Sequence, residues 1–175
     1  MIELYTSPGT AGSIVHCALE QAGVPHRQVL VSVAEDGTTT PPGYRDLNPN
    51  ATVPTLVDGD LVLYETIAIL EHLVETAGGL GPRVGEPGRE RLHFWLGWLT
   101  NNLMAAFYRW FKPGEMIAAE HVEALQAGAV ANLSALGDVL EAQLAGRDWL
   151  LVEGPSAADI FLQQLVGWGA EIDGL

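Results

Sequence analysis

The 175-residue sequence predicts two domains of different class, an α/β domain followed by an all-helical one. Three observations carry this expectation. The first half alternates short strand-like apolar runs with helical ones, in the order βαβ and then ββα. Residues 78–88, from Gly78-Gly79-Leu80-Gly81-Pro82 to Gly85-Glu86-Pro87-Gly88, form the clearest Gly/Pro cluster in the chain, the composition of a linker. From Arg89 onward no strand pattern appears, and apolar residues recur at helical spacing. The predicted organisation is therefore a first domain over 1–77, a linker over 78–88 and a helical domain over 89–175. A hydrophobic content of 48% is enough to build a core for one ordinary domain or two small ones.

Ile2-Glu3-Leu4-Tyr5 reads as a short strand, and Ser7-Pro8-Gly9 breaks it before a helical pattern over residues 11–22 that Gly23-Val24-Pro25 ends. A second apolar strand is predicted over 28–33, and the Thr-, Pro- and Gly-rich stretch 34–43 reads as a surface loop. Thr55-Leu56-Val57 and Leu61-Val62-Leu63 are two strands joined by a tight turn at Asp58-Gly59-Asp60. Glu65 opens an amphipathic helix running to about residue 77. In the second half, helices are predicted over 89–111, 118–144 and 157–170. The last is announced by Ser156-Ala157-Ala158-Asp159, a capping box ahead of Ile160-Phe161-Leu162. This motif is a folding signal and not a catalytic one.

Twenty-two acidic side chains against eight basic ones give a formal charge of −14, and Lys112 is the single lysine. Such a field repels phosphate backbones and anionic lipid, so nucleic acid and membrane surfaces are poor partners and neither is expected. The same acidity also serves simply to keep a protein in solution. Met1-Ile2-Glu3 leads into a strand without a basic leader, and no apolar run approaches the ~18 residues that cross a bilayer. The expected location is cytoplasmic. One cysteine, Cys17, cannot form an internal disulfide, and among Ile14, Val15, Ala18 and Leu19 it is expected to be a small buried hydrophobe and not a nucleophile.

Two motifs suggest a ligand. Leu47-Asn48-Pro49 precedes Val53-Pro54-Thr55-Leu56, and Glu65-Thr66-Ile67-Ala68-Ile69-Leu70 opens a helix. The free N–H groups and positive dipole end of a helix N-terminus attract a carboxylate, while a glutamate there answers an ammonium group. Capping by Glu65 and Thr66 is the plain structural alternative and is compatible with that role. In this order and register, with the Ser156 motif, the chain resembles cytosolic glutathione transferases, above all the bacterial beta and nu classes. The resemblance spans nearly the whole chain. It implies a thioredoxin-like N-terminal domain plus an all-α C-terminal domain, the glutathione transferase fold. It implies that Val53-Pro54 is a cis peptide whose Val53 backbone pairs with the cysteinyl residue of glutathione, and that Glu65 and Thr66 hold the γ-glutamyl end.

The resemblance breaks at the sulfur. Two residues after Gly9, where the beta class places a cysteine and the nu class an asparagine, this chain has Ala11. A methyl group neither donates to a thiolate nor lowers a thiol pKa from ~8.5. Tyr5, Ser7, Thr10 and Ser13 are the nearby hydroxyls; Thr10 is the first candidate for a substitute donor and Ser13 the second, with loop and N-cap duty the competing reading. On the long helix the beta class carries a His-Lys pair, and by gapless extension those positions are Met104 and Ala105. Asn101, Met104, Tyr108 and Phe111 recur there at helical spacing, a stripe that is either core or, as the resemblance implies, the wall of a hydrophobic substrate pocket. Trp168 aligns with a family tryptophan that closes the same pocket. The chain stops at Leu175, about 30 residues before a usual member of the family, so an open pocket, or one covered by a partner or tail, is expected.

Two functions follow as expectations. One is a transferase or isomerase that sets glutathione, or another low-molecular-weight thiol, beside a small hydrophobic electrophile. The composition, rich in Ala, Gly and Leu and nearly free of Lys, hints at a GC-rich genome in which a different thiol serves. The other is a ligand-binding or scaffold protein that kept the fold without the chemistry. A thioredoxin-type reductase is excluded by Ala11. No metal is expected. The resemblance also implies a homodimer, with Phe94, Trp95 and Trp98 offering apolar area for the interface.

Overall fold

Strand β1 (Ile2–Thr6) buries every second residue, Ile2, Leu4 and Thr6, and so sets one face of the first sheet. The fold is known from a computed structural model that describes residues 1–173 and 175. It divides into two compact units, Met1–Glu86 and Pro87–Leu175. In the first, α1 (Gly12–Gln21) carries the chain over to β2 (His26–Leu30), which pairs in parallel with β1 from Ile2 opposite His26 to Thr6 opposite Leu30. A tight turn then joins β5 (Thr55–Asp58) to β6 (Leu61–Tyr64), and β5 lies antiparallel to β1, giving the strand order β2-β1-β5-β6. Helix α3 (Thr66–Thr76) packs on α1, and Leu4, Ile14, Leu19, Leu56, Ile69, Leu70 and Leu73 form the core. This mixed sheet is thioredoxin-like.

Gly12 is required where α1 meets β1. A Cβ there would fall 2.0 Å from Thr6 Oγ1, well inside van der Waals contact. Between β2 and β5 the predicted loop holds more structure than its composition suggests. Ser32–Val33 (β3) and Thr39–Thr40 (β4) form a small hairpin, and α2 (Tyr44–Leu47) is a single turn. The hairpin turns at Asp36-Gly37, with Gly37 at φ 81° and the Asp36 carboxylate accepting the Thr38 N–H at 2.9 Å. Hydrogen bonding to Thr38 holds the Asp36 carboxyl below its ordinary value. Strand β2 starts two residues earlier than predicted and ends at Leu30, because its length is that of its partner β1.

The second unit is all-helical: α4 (Arg89–Trp98), α5 (Ala105–Phe111), α6 (Val122–Leu144) and α7 (Ala157–Gly169). The predicted helix over 89–111 is one path but not one geometry, since Leu99–Met104 between α4 and α5 is π-helical. Helix α6 begins at Val122, later than predicted, after short 3-10 turns at Pro113–Glu115 and Ala119–His121. The capping box is formed: Ser156 Oγ accepts the Ala158 N–H at 3.3 Å, and Asp159 accepts the Ser156 N–H at 2.8 Å. Asp159 also accepts the Leu150 N–H at 2.9 Å, tying the preceding loop to α7.

Two burial expectations are corrected. Cys17 is exposed, because α1 buries the face defined by Ile14, Val15, Ala18 and Leu19 and position 17 lies on the other side. Trp95 is only 3% exposed and belongs to the core of the second unit, packed edge-on to Phe94 and Trp98 at 5.2 and 5.6 Å. Of the three residues assigned to an interface, Phe94 alone is strongly exposed, at 56%. Among the described residues no helix is long and apolar enough to cross a membrane.

Candidate functional site

The sheet register gathers the candidate ligand groups at one end. Thr55 lies opposite Tyr64, so the residues just before β5, Val53 and Pro54, sit beside those just after β6, Glu65 and Thr66. Tyr5 lies opposite Thr55, so β1 runs out at the same end, and the Ser7 to Ala11 turn into α1 starts there. Val53, Pro54, Glu65 and Thr66 are thus one group, placed by backbone pairing over a distance of 13 residues in sequence.

The Val53–Pro54 peptide is cis. The N–H and C=O of Val53 take no hydrogen bond from the described residues, and Val53 is half-buried. A polar backbone pair left open at the mouth of a sheet is free to receive an extended ligand strand-fashion. The turn that delivers it is held by a buried network. The Tyr44 hydroxyl bonds with the Thr52 C=O at 2.5 Å and Thr55 Oγ1 at 2.7 Å, and Asn48 Nδ2 donates to the Thr52 C=O at 2.8 Å. Burial pushes the Tyr44 phenol up, so it stays protonated. Tyr44 carried no functional signal in the sequence; the aromatic one turn before Leu47-Asn48-Pro49 is the feature that marks it.

Glu65 sits at φ 94° and ψ 117°, a conformation that side-chain-bearing residues rarely adopt and that costs of order 1–3 kcal/mol. Its exposed carboxylate makes no capping bond to α3, so the capping reading of Glu65 fails. The first helical bond of α3 runs from the Ile69 N–H to the Glu65 C=O, leaving the N–H groups of the first turn directed past the helix end. Thr66 is buried at that end. A carboxylate on these donors and an ammonium on Glu65 would satisfy both charges of one amino-acid terminus.

The hydroxyls near Ala11 are largely engaged. Thr10 Oγ1 donates to the Ser7 C=O at 2.6 Å and accepts the Gly12 N–H at 3.2 Å, closing the turn before α1. Ser7 donates to the Val31 C=O, and Tyr5 donates to Glu3 at 3.2 Å. Burial and that acceptor both raise the Tyr5 phenol, making it a poorer acid. Ser13 opens instead into a cleft of about 270 Å³ shared with Ser7, Pro8, His16, Gln28 and Leu30, whose lining does not include Val53 or Glu65.

In the second unit, Phe111 and Trp168 meet edge to face at 6.1 Å, and both contact Phe107, at 6.2 and 5.8 Å. Tyr108 donates to Glu115, which raises the phenol and lowers the carboxyl. Asn101 Nδ2 donates to the Gly97 C=O at 3.0 Å, and Met104 is half-buried. Asn101 and Met104 both fall within the π-helical segment, so the 3.6-residue spacing that links them to Tyr108 and Phe111 does not hold across it.

Residues 12–76 match the family model for the glutathione S-transferase N-terminal domain. A sphingomonad glutathione S-transferase solved in complex with glutathione is 30% identical, with a TM-score of 0.85 over 98% of this chain and 84% of that one. This chain belongs to the cytosolic glutathione transferase superfamily. Within the superfamily it is like the bacterial beta class, a member of which from Sphingomonas chungbukensis superposes with a TM-score of 0.84 at 26% identity, over 98% of this chain and 84% of that one. The glutathione S-transferase GST-4.5 of Xanthomonas campestris is 28% identical over 99% of this chain and 87% of its own length. A glutathione transferase homolog from Sulfitobacter, solved with bound glutathione, is 28% identical with a TM-score of 0.86, over 100% of this chain and 85% of that one. This chain has the superfamily's fold, a thioredoxin-like unit followed by a helical one, and position 11 is an alanine.

Proposed function

We propose that this protein binds glutathione, or a thiol with the same amino-acid terminus, through Val53, Pro54, Glu65 and Thr66 in the cytoplasm, and sets its sulfur against a small hydrophobic electrophile. The observation that carries the reading is the open Val53 backbone beside the strained Glu65 and the N-terminus of α3. The glutathione-bound Sulfitobacter and sphingomonad relatives support the choice of thiol. Asn101, Met104, Tyr108, Phe111 and Trp168 are the proposed contacts for the electrophile. In the reaction the thiol proton leaves to solvent, the sulfur pair forms the new S–C bond, and a halide or similar group departs with the electrons of the broken bond. The protein contributes mainly proximity, because Ala11 supplies no side-chain donor and the Thr10 hydrogen lies on the Ser7 carbonyl.

That same occupancy favours a second reading, a thiol-binding protein without turnover. Calorimetry with glutathione separates the possibilities. Wild type binds, and Glu65→Ala weakens binding by roughly 1.5–3 kcal/mol, the loss of one charged hydrogen bond. Unchanged affinity in that variant places the ligand elsewhere. Tight binding with no conjugation of any electrophile establishes the second reading.

A further inference from the structure

We propose that His16, Glu20 and His26 form a site for a divalent transition metal of zinc type, clamping the C-terminal half of α1 to the start of β2. His16 and Glu20 stand one turn apart on α1, the spacing that puts two side chains on one face. The turn after α1, closed by the Val24 N–H on the Leu19 C=O at 3.0 Å, returns the chain so that His26 opens β2 against that face. Glu20 Oε1 lies 3.5 Å from His16 Nε2 and 3.6 Å from His26 Nε2, and all three ligand atoms fall within 4.8 Å of one another. Ligand bonds of 2.0–2.2 Å in a tetrahedral site set its ligand atoms roughly 3.3–3.5 Å apart. The edge of 3.5 Å falls in that range and the edge of 3.6 Å lies just outside it.

The hydrogen bonds assign the lone pairs. His26 Nδ1 faces the Val24 carbonyl oxygen at 2.9 Å, and only a protonated Nδ1 is attractive there. That leaves Nε2 as the ring nitrogen facing the Glu20 carboxylate, where it binds a metal once it carries no proton, on a side chain only 6% exposed and held in place. A backbone carbonyl on the far nitrogen is the usual way a metal-binding imidazole is oriented. His16 Nε2 is 3.0 Å from Gln28 Nε2, a donor amide, so its lone pair accepts that N–H in the metal-free structure and a bound metal takes the amide's place. Two imidazole nitrogens and a carboxylate converge on one point, and among the described residues no Lys or Arg pairs with Glu20. A cation completes the charge and the coordination. His16 at 35% and Glu20 at 66% side-chain exposure give it an entry path and leave a fourth position to water. Imidazole with one carboxylate suits zinc, cobalt, nickel or copper over calcium or magnesium.

The test uses tag-free full-length protein stripped with chelator, then titrated at neutral pH with Zn²⁺ by calorimetry and with Co²⁺ by visible absorption. One equivalent binds to wild type, with the intense absorption of tetrahedral Co²⁺ and a raised Tm. His16→Ala and Glu20→Ala, both exposed enough to leave folding intact by circular dichroism, lose at least tenfold in affinity together with the Tm rise. His121→Ala, in the other unit, binds as wild type does. Absence of saturable binding at micromolar metal overturns the site, and so does equal binding by the His16 and Glu20 variants.

Discussion

Thr10 shows how one hydrogen atom decides between roles. Its hydroxyl has a single proton, and that proton is placed on the Ser7 carbonyl while the oxygen caps the Gly12 N–H. Thr10→Val is therefore expected to cost about 0.5–2 kcal/mol of stability, as loss of a cap does, with glutathione affinity unchanged. Turnover of an aromatic chloride should be low, because one aimed donor is worth ~10²–10³ in rate. It should rise with pH as bulk thiol ionises near ~8.5. A rate that is flat between about pH 6 and 8 would mean the thiolate is already stabilised, and its disappearance in Thr10→Val would make Thr10 the donor. Tyr108 and Glu115 make a second residue-scale case. Their bond needs a neutral phenol and an ionised carboxylate. Glu115 is held below its ordinary 4.5, so its share of stability is present above that value and is lost as pH falls through the lowered one. Tyr108 is raised above 10.0, so its share is present below that value and is lost as pH rises through the raised one. Glu115→Gln should move the Tyr108 phenol back down in an ultraviolet difference titration; an unmoved phenol would show that the bond does not persist in solution.

At the scale of elements, α7 depends on its start. Ser156 and Asp159 satisfy three backbone N–H groups between them, those of Ala158, Ser156 and Leu150. Ser156→Ala should cost about 1 kcal/mol, a fall in Tm of about 2–4 °C for a chain of this size. Asp159→Ala should cost more, because two part-buried donors lose their acceptor. Equal losses in the two variants would mean that the loop leading into α7 finds other partners. The π-helical turn at Leu99–Met104 shifts the register of everything after it. That segment packs on α6 and α7, and no residue in Leu99-Thr100-Asn101-Asn102-Leu103-Met104 announces its geometry.

At the scale of the molecule, the acidic surface carries a formal charge of −14, which opposes self-association at low salt by mutual repulsion. A homodimer is proposed nonetheless, seated on Phe94, whose exposed ring is the apolar anchor left once Trp95 is assigned to the core. Light scattering should give twice 18.7 kDa at moderate salt, and Phe94→Asp should shift the population to monomer. A monomer at high concentration in wild type would remove this proposal without touching the thiol site.

The parts of this protein that its sequence determined are those in which a few neighbouring residues carry the whole signal. Ile2-Glu3-Leu4-Tyr5 reads as a strand and lies within β1, Asp58-Gly59-Asp60 makes a tight turn, and Ser156 with Asp159 caps a helix. The boundary between the two compact units, after Glu86, falls inside the Gly/Pro cluster of 78–88, and the cis Val53–Pro54 bond is the one that the family resemblance of the Leu47 to Leu56 motif implied. What tertiary structure decided concerns which face of an element is covered and which distant groups meet. Cys17 and Trp95 both lie in apolar surroundings along the chain, yet α1 turns one to water and α4 turns the other inward. The Thr10 hydrogen, the Tyr44 network and the convergence of His16 and Glu20 with His26 all depend on backbone brought close by the sheet and the turn after α1. Local propensity acts over a few residues, whereas burial and charge convergence are set by packing across the whole unit, and so only the folded chain shows them.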